Sequence, residues 1–266
     1  MKVGLGKKAK NTPIDILIYQ NMNVQVYRQR MAMQEIDFTN IIRLMKEYNK
    51  DKEPRNKLRL PAILMKAIAI AYDYEDENGY KPYRRFSGYV SSLPWGGSWE
   101  SDTIDISMII VREIAGEKDQ SCPIVFNELE KHNVLELSRK IWDMINLPED
   151  EIDQIRFLKK MASLPPIIVY FLLKLTKIPW IRARVMAPTS LAVIARDVKW
   201  FQGEHTSYFG LPAIDKRTNK AHLEWTYDHR LGMGKDIAGF FALLKNILES
   251  GEFLREEIEG YSSKKC

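Results

Sequence analysis

The sequence is poor in the residues from which disulfide frameworks and metal sites are built, with two cysteines and four histidines among 266 residues. Cys122 and Cys266 cannot form the disulfide framework of a small secreted protein, and no further ligands accompany them at zinc-binding spacing. A phosphate-binding fingerprint is also missing, because Gly4-Leu5-Gly6 has no third glycine and no preceding strand. These absences predict a reduced, intracellular protein without a metal site.

Long apolar runs are scarce as well. The first ten residues, MKVGLGKKAK, lack the apolar core of a signal peptide, which predicts a cytoplasmic location. The most apolar stretch runs from Pro165 to Leu173 and is too short for a membrane span, which takes about 20 apolar residues. We expect a buried helix here, opened by its two prolines. The alternative is an exposed helix that docks on a partner or makes peripheral contact with a membrane.

Basic residues exceed acidic residues only slightly, since 40 Lys and Arg against 35 Asp and Glu give a net charge of +5. The excess is spread along the chain and clusters only near Lys7 and Lys8 and at Lys264 and Lys265. A nucleic-acid-binding protein gathers its basic side chains on one face, so no nucleic-acid partner is expected. With 45% hydrophobic and 28% charged residues, the composition is that of an ordinary globular protein.

The pattern along the chain predicts one α+β domain over residues 1–266, with flexible tails at 1–12 and 256–266. Strands are expected where β-branched and apolar residues cluster or alternate, at residues 14–18, 24–37, 103–113, 123–126, 190–198 and 221–227. Helices are expected where apolar residues recur at helical spacing, at residues 41–48, 60–72, 134–145 and 236–250. Loops and short turns are expected at residues 80–99 and 200–213.

The stretch WTYDHRLGMGKDIAGFF, which begins at Trp225, carries the strongest chemical signal. A predicted strand ends at Asp228, His229 follows it, and glycines at 232 and 234 precede a helix that Asp236 caps. An imidazole at a strand end, beside small residues, can face a substrate channel and take a proton from a thiol or hydroxyl near neutral pH. The alternative is a histidine that hydrogen-bonds to the local backbone.

These residues also resemble a known family. Asp228-His229-Arg230, then Gly234 and FFALLKNILE, are similar to the end of the acyltransferase core of 2-oxo acid dehydrogenase complexes, the dihydrolipoamide acyltransferases. Chloramphenicol acetyltransferases share the fold of that core. Further blocks resemble it in the same order: MAMQEIDFTNIIRLMKEY, LRLPAILMKAIAIA, and DTIDISMIIV followed by SCPIVFNELEKHNVLELSRKI. The resemblance covers roughly residues 20–250.

The resemblance implies a chloramphenicol acetyltransferase-like mixed sheet flanked by helices, and a homotrimer with active sites between subunits. It implies that His229 is the general base acting on the thiol of coenzyme A, dihydrolipoamide or a carrier's pantetheine arm. Asp228, Arg230, Gly232 and Gly234 would support the turn that carries it. The chain is too short to add a lipoyl domain to this core, so a stand-alone form is expected. Its expected partners are a small-molecule or carrier-bound acceptor of unknown identity and the other members of a larger enzyme assembly.

Two departures from the family pattern leave a second interpretation open. The family signature is a His, three residues, then Asp-Gly, and the Asp, which an ion pair ties into the turn, is Met233 here. In the family, one strand supplies a hydroxyl to the oxyanion, followed by an asparagine. This chain has Ile194 and Ala195 at about those two positions. These losses favour a catalytically degenerate member that serves as a trimeric scaffold or binding partner in a multi-enzyme assembly. The retained Asp228-His229-Arg230 and glycine turn favour the enzyme.

Three residues near these positions are candidates to contact the oxyanion or the acceptor instead. Thr189 and Ser190 lie just before the missing hydroxyl, and His205 lies in a polar loop that could line a channel. His222 alternates with Leu223 on the strand leading to His229, and it is expected to face solvent.

Overall fold

The computed structural model describes residues 5–8, 29–90, 97–114, 117–175, 187–193, 206–232 and 234–263. The described strands are β1 (Leu5–Lys8), β2 (Gln29–Asp37), β3 (Tyr89–Val90), β4 (Ser98–Ser101), β5 (Ile106–Ile114), β6 (Glu117–Phe126), β7 (Thr189–Val193), β8 (Ser207–Leu211) and β9 (Lys220–Asp228). The described helices are α1 (Thr39–Asn49), α2 (Leu60–Asp73), α3 (Val134–Asn146), α4 (Asp153–Ala162), α5 (Pro166–Leu175), α6 (Gly234–Ser250) and α7 (Glu252–Ser263). The strand expected at residues 14–18 lies outside the described residues.

A mixed six-stranded sheet forms the centre of the fold, in the order β2-β9-β8-β7-β5-β6. β7 runs parallel to both β5 and β8, and the other neighbours are antiparallel. A small antiparallel sheet joins β1, β4 and β3. Helices α2, α3 and α6 pack on one face of the large sheet. The predicted α+β class, with a mixed sheet flanked by helices, is confirmed.

Alternation along β9 explains which face of the sheet carries the core. Leu223, Trp225 and Tyr227 are buried among the helices, whereas His222 is exposed as expected. Because successive side chains of a strand point to opposite faces, a shift of one residue in register would turn all three apolar side chains away from the core. Burial of this strand therefore fixes the position at which it ends, at Asp228.

Helix α2 is buried on nearly every side, as its sequence LPAILMKAIAIAYD predicts. Its one charged residue within the core is Lys66, whose ammonium group donates to the carbonyl of His132 at 2.7 Å and lies 3.4 Å from the carboxylate of Glu257. These contacts satisfy a cation that would otherwise be costly to bury. Lys66 thereby ties α2 to the C-terminal helix α7.

The C-terminal end departs from the expectation of a flexible tail from residue 256, because α7 is helical as far as Ser263 and Leu254 in it is fully buried. Gly251 separates α6 from α7, as expected for a helix stop, with a φ of 68°. A side chain is strained in that left-handed conformation.

A further expectation is wrong, and a second is confirmed only in part. Residues 200–213 were expected to form a loop, but they contain β8, a short strand buried on both faces between β7 and β9, so its sequence SYFGL does not alternate. Residues 80–99 were expected to form loops and short turns; the 3₁₀ turn Arg84–Ser87 agrees with this, but the paired strands β3 and β4 were not expected.

The apolar segment was expected to be a buried helix, and this too is wrong. Residues Pro166–Leu175 do form a helix, α5, but most of its described side chains are exposed. Among the described residues, no helix has both the length and the apolar character needed to cross a membrane.

Replacing Gly251 tests the junction between α6 and α7. Gly251→Ala should lower the free energy of unfolding by about 1–2 kcal/mol, because the new methyl group would occupy a left-handed residue and would lie 3.3 Å from Cβ of Asn40. Gly260→Ala, within α7 and in open space, is the control and should leave stability unchanged or raise it. Urea denaturation measures both; equal effects of the two variants would contradict this account.

Candidate active site

The large sheet brings the candidate residues to one of its ends. The strands β7 and β8 begin at this end with Thr189 and Ser207, and β9 finishes there with Asp228. The backbone N–H of Asp228 donates to the carbonyl of Thr206 at 2.9 Å, which holds the end of β9 beside the start of β8. His229 comes next and opens a 3₁₀ turn, so it lies at this sheet end as the sequence predicts.

The imidazole of His229 is partly exposed and stacks on the ring of Tyr227, with 6.1 Å between ring centroids and 28° between planes. Its Nδ1 atom is buried and has no hydrogen-bond partner in the part of the chain that the structure describes. Leaving a buried polar atom unpaired costs free energy, and such atoms in folded proteins call for a functional or solvent partner. Burial also raises the pKa of the Tyr227 hydroxyl, which keeps it neutral beside the imidazole.

An ion pair inside the turn holds the backbone around His229. The carboxylate of Asp228 accepts from the backbone N–H of Arg230 at 3.1 Å and from its guanidinium at 2.8 Å and 2.5 Å. Both side chains are almost fully buried, at 10% and 3% exposure. Charge-assisted bonds of this bidentate kind fix geometry well. Asp228 therefore shapes the turn through Arg230.

Gly232 lets the turn approach an aromatic side chain closely. A Cβ atom at this position would lie 2.5 Å from Cζ of Phe86, which is fully buried and packs edge-to-face against Trp225 at 5.0 Å. Gly234, at the start of α6, has nothing within 4 Å of such an atom. The two glycines predicted to support the turn thus differ. Close packing requires glycine at position 232, whereas position 234 has room for a side chain.

The 3₁₀ turn Arg84–Ser87 lies where short turns were expected but was not predicted to belong to the site, and it holds the histidine turn from outside. Arg85 forms an ion pair with Asp236, both about 30% exposed. Asp236, expected to be a helix cap, therefore joins the first turn of α6 to this segment. The carbonyl of Phe86 accepts a hydrogen bond from the hydroxyl of Ser207 at 2.9 Å. In the sequence, this turn is marked only by two adjacent arginines in an aromatic stretch, YRRFSG. That pattern does not reveal the distant partners Asp236 and Ser207.

Thr189 and Ser190 lie at the same sheet end but point to opposite faces. The Thr189 hydroxyl is fully buried on the helix-covered face, 3.4 Å from the hydroxyl of Tyr72. Burial raises the pKa of Tyr72 well above its usual range, so this hydroxyl stays protonated. Ser190 is 2% exposed on the other face, in register with Tyr208. His205, Ile194, Ala195 and Met233 lie outside the described residues.

A cavity of about 540 Å³ lies elsewhere in the molecule. Its lining residues include Lys66, His132 and Glu257, and none of them belongs to the sheet end that carries His229. Within the described ranges, no group of three or more His, Cys, Asp or Glu side chains is placed to hold a metal ion. Cys122 is buried, which raises the pKa of its thiol.

Comparison with solved structures identifies the fold. No protein-family model and no curated protein sequence matches this chain. The probable dihydrolipoamide acetyltransferase of Listeria monocytogenes does match in structure, with a TM-score of 0.55 and 15% identity over 92% of this chain and 94% of that one. The chain has the chloramphenicol acetyltransferase-like fold. The predicted resemblance is thus confirmed at the level of structure.

Two further structures with this fold support the match. The dihydrolipoamide acetyltransferase of Azotobacter vinelandii gives a TM-score of 0.56 at 12% identity, over 94% of each chain. Work on that enzyme concerns the roles of a serine, a histidine and an asparagine in its catalytic mechanism. A chloramphenicol acetyltransferase gives 0.54 at 12% identity, over 93% of this chain and all of that one. At such low identity the likeness establishes the fold and leaves activity to be argued from the site.

The paired glycines of the histidine turn give a matched test of its packing. Gly232→Ala should lower the free energy of unfolding by about 1–3 kcal/mol, because its methyl group would displace the buried ring of Phe86. Gly234→Ala, two residues later and in open space, should change it by less than about 0.5 kcal/mol. Chemical denaturation of both variants checks this. Equal stabilities would show that Gly232 does not pack against Phe86.

A double-mutant cycle tests whether Arg85 and Asp236 hold the turn together. Replacing each residue by Ala, singly and together, should give a coupling energy of about 1 kcal/mol, because both partners are partly buried. The exposed pair Arg43–Glu47 of α1 is the control, with an expected coupling of about 0.5 kcal/mol or less. A coupling energy near zero between Arg85 and Asp236 would show that this ion pair does not hold the turn together.

Proposed function

We propose that this protein is an acyltransferase that moves an acyl group from a thioester to an acceptor, with His229 as the general base. The donor is an acyl thioester of coenzyme A or of a carrier's pantetheine arm, so coenzyme A is a substrate here. One observation carries the proposal: His229 stands at the end of β9, in a rigid turn, with a buried Nδ1 atom that no described residue bonds. The named acetyltransferases of the same fold support it.

In the proposed reaction, His229 carries out both proton transfers. The unprotonated Nε2 of His229 takes the proton from the acceptor's thiol, hydroxyl or amine as the acceptor attacks the thioester carbonyl. The tetrahedral intermediate then expels the thiolate as its C–S bond breaks, and the imidazolium returns the proton to the departing sulfur. The hydrogen bonds between Asp228 and Arg230 hold the backbone on both sides of His229 during both proton transfers, because neither residue needs to move.

The oxyanion of that intermediate needs a hydrogen-bond donor, and the described hydroxyls differ in how free they are. The hydroxyl of Thr189 contacts Tyr72, and that of Ser207 donates to the carbonyl of Phe86. Either would have to break a buried bond to serve. We therefore propose Ser190, which has no such contact among the described residues, as the donor in place of the residue that the family supplies.

We also propose that the chain forms a homotrimer through the sheet face that the helices leave open. Exposed apolar side chains stand on this face at the edge strand β2 and on β5: Met31, Met33, Ile109 and Val111, at 41–59% exposure. Their register places them on the same side as Ser190. Burying such side chains is favourable, and a subunit that covers them would also close the site from water.

The scaffold interpretation is the second candidate, and Met233 favours it. The thioether at this position cannot accept a charged hydrogen bond as the family's aspartate does. A chain that lost activity would keep its packing, its turn and its assembly surface while losing turnover.

Thiol release from a panel of acyl-coenzyme A thioesters, with a broad mixture of acceptors, separates the two candidates. We expect wild-type turnover, a loss of about 10²–10⁴-fold in His229→Ala, and no change in His222→Ala, which removes an exposed imidazole from the same strand. Background rates in all three proteins would overturn coenzyme A-dependent transfer and favour the scaffold. Equal turnover in all three would remove His229 as the base.

A further inference from the structure

We propose that α4 and α5 form a membrane-docking segment, which binds the surface of an anionic lipid bilayer by inserting α5 at the interface. This docking segment spans residues 153–175 and shares no residue with the His229 turn, so the proposal stands independently of the acyltransferase. The sequence predicted a buried helix, with an exposed docking helix as the alternative, and most described side chains of α5 are exposed.

Helix α5 exposes apolar side chains on more than one side. The exposed residues of α5 are Ile167 at 60%, Ile168 at 44%, Tyr170 at 51%, Phe171 at 60%, Leu172 at 36% and Leu175 at 44%. Consecutive helical residues point about 100° apart, so Ile167 and Ile168, like Phe171 and Leu172, face different directions. The exposed apolar surface is therefore wider than a single stripe of the helix.

The docking segment is anchored to the body at the start of α4. Ile152 and Ile155 are buried, at 2% and 1% exposure. The side-chain amide of Gln154 accepts from the backbone N–H of Val125 at 2.8 Å and donates to its carbonyl at 2.9 Å, which fixes α4 to the edge strand β6. α4 thus remains attached to the sheet, while Phe157 of α4 and most of the described side chains of α5 are exposed.

The basic residues of the chain are not spread evenly, which corrects the expectation from the sequence. Residues 154–196 contain eight of the 40 Lys and Arg and none of the 35 Asp and Glu, so the rest of the chain holds 32 basic and 35 acidic residues. In the sequence, the excess of positive charge therefore lies in the stretch that contains the apolar helix. In the described part of this stretch, Arg156 pairs with Asp153 and Lys159 with Glu149, whereas Lys160, near the end of α4, is exposed and has no ion pair.

Lipid fits this surface better than a second protein surface does. A partner groove covers a narrow stripe of a helix, whereas the exposed apolar surface of α5 is wider than a single stripe. A ten-residue helix is about 15 Å long and cannot cross a hydrocarbon core of about 30 Å, so α5 would lie within the interface. Apolar insertion together with basic flanks is the combination that holds a helix at an anionic membrane surface.

The test is co-sedimentation of the full chain with vesicles of phosphatidylcholine alone or mixed with phosphatidylglycerol. We expect binding to the mixed vesicles, at least about tenfold weaker binding to the neutral vesicles, and weakening by salt. The double variant Ile167→Glu and Phe171→Glu should lose at least about tenfold in binding. Tyr80→Glu is the control, because it places one carboxylate at an apolar side chain of matched exposure, 59%, outside the docking segment, and should bind as wild type.

Because all three substituted side chains are exposed, the variants should fold as the wild type does. Circular dichroism checks this. Absence of binding to both kinds of vesicle would overturn the proposal, as would full binding by the double variant. If vesicles are not bound and the double variant instead lowers the oligomeric mass measured by light scattering, then a second copy covers α5 and the membrane proposal is wrong.

Discussion

The position of the candidate catalytic residue depends on one aromatic cluster. Trp225 of β9 lies 5.0 Å from Phe86 of the 3₁₀ turn, 5.6 Å from Phe209 of β8 and 4.6 Å from Phe240 of α6, measured between ring centroids. These rings are fully buried, so they contribute much of the apolar burial at this end of the core. β9, β8, α6 and the 3₁₀ turn each contribute at least one ring to this cluster. The turn is therefore held by the same contacts that hold the fold.

Local patterns predicted the parts of this site that are contiguous in the chain. The alternation that ends at Tyr227, the histidine after it and the amphipathic α6 are all readable in sequence order. β8 was missed because a short strand buried on both faces carries no alternation, and Arg85 was missed because its partner Asp236 is far along the chain. For α5, hydropathy measures how apolar a segment is and carries no information about whether the fold provides a surface to cover it.

Two ion pairs suggest how the turn keeps its shape without the aspartate that the resemblance to the acyltransferases leads one to expect at position 233. Position 233 is methionine, but a carboxylate three residues later, on Asp236, pairs with Arg85. A second pair, Asp228 with Arg230, closes the turn from within. Ion pairs on both sides of the turn, with Gly232 against Phe86 between them, can supply the rigidity that general base catalysis requires.

The most direct test of the central claim is a crystal structure of the chain with coenzyme A bound. The account predicts that the thiol sulfur lies within hydrogen-bonding reach of Nε2 of His229, at about 3–3.5 Å, with the pantetheine arm entering at the end of the sheet where β7 and β8 begin. Coenzyme A seated elsewhere, or a His229 ring closed off by protein side chains on every side, would contradict it.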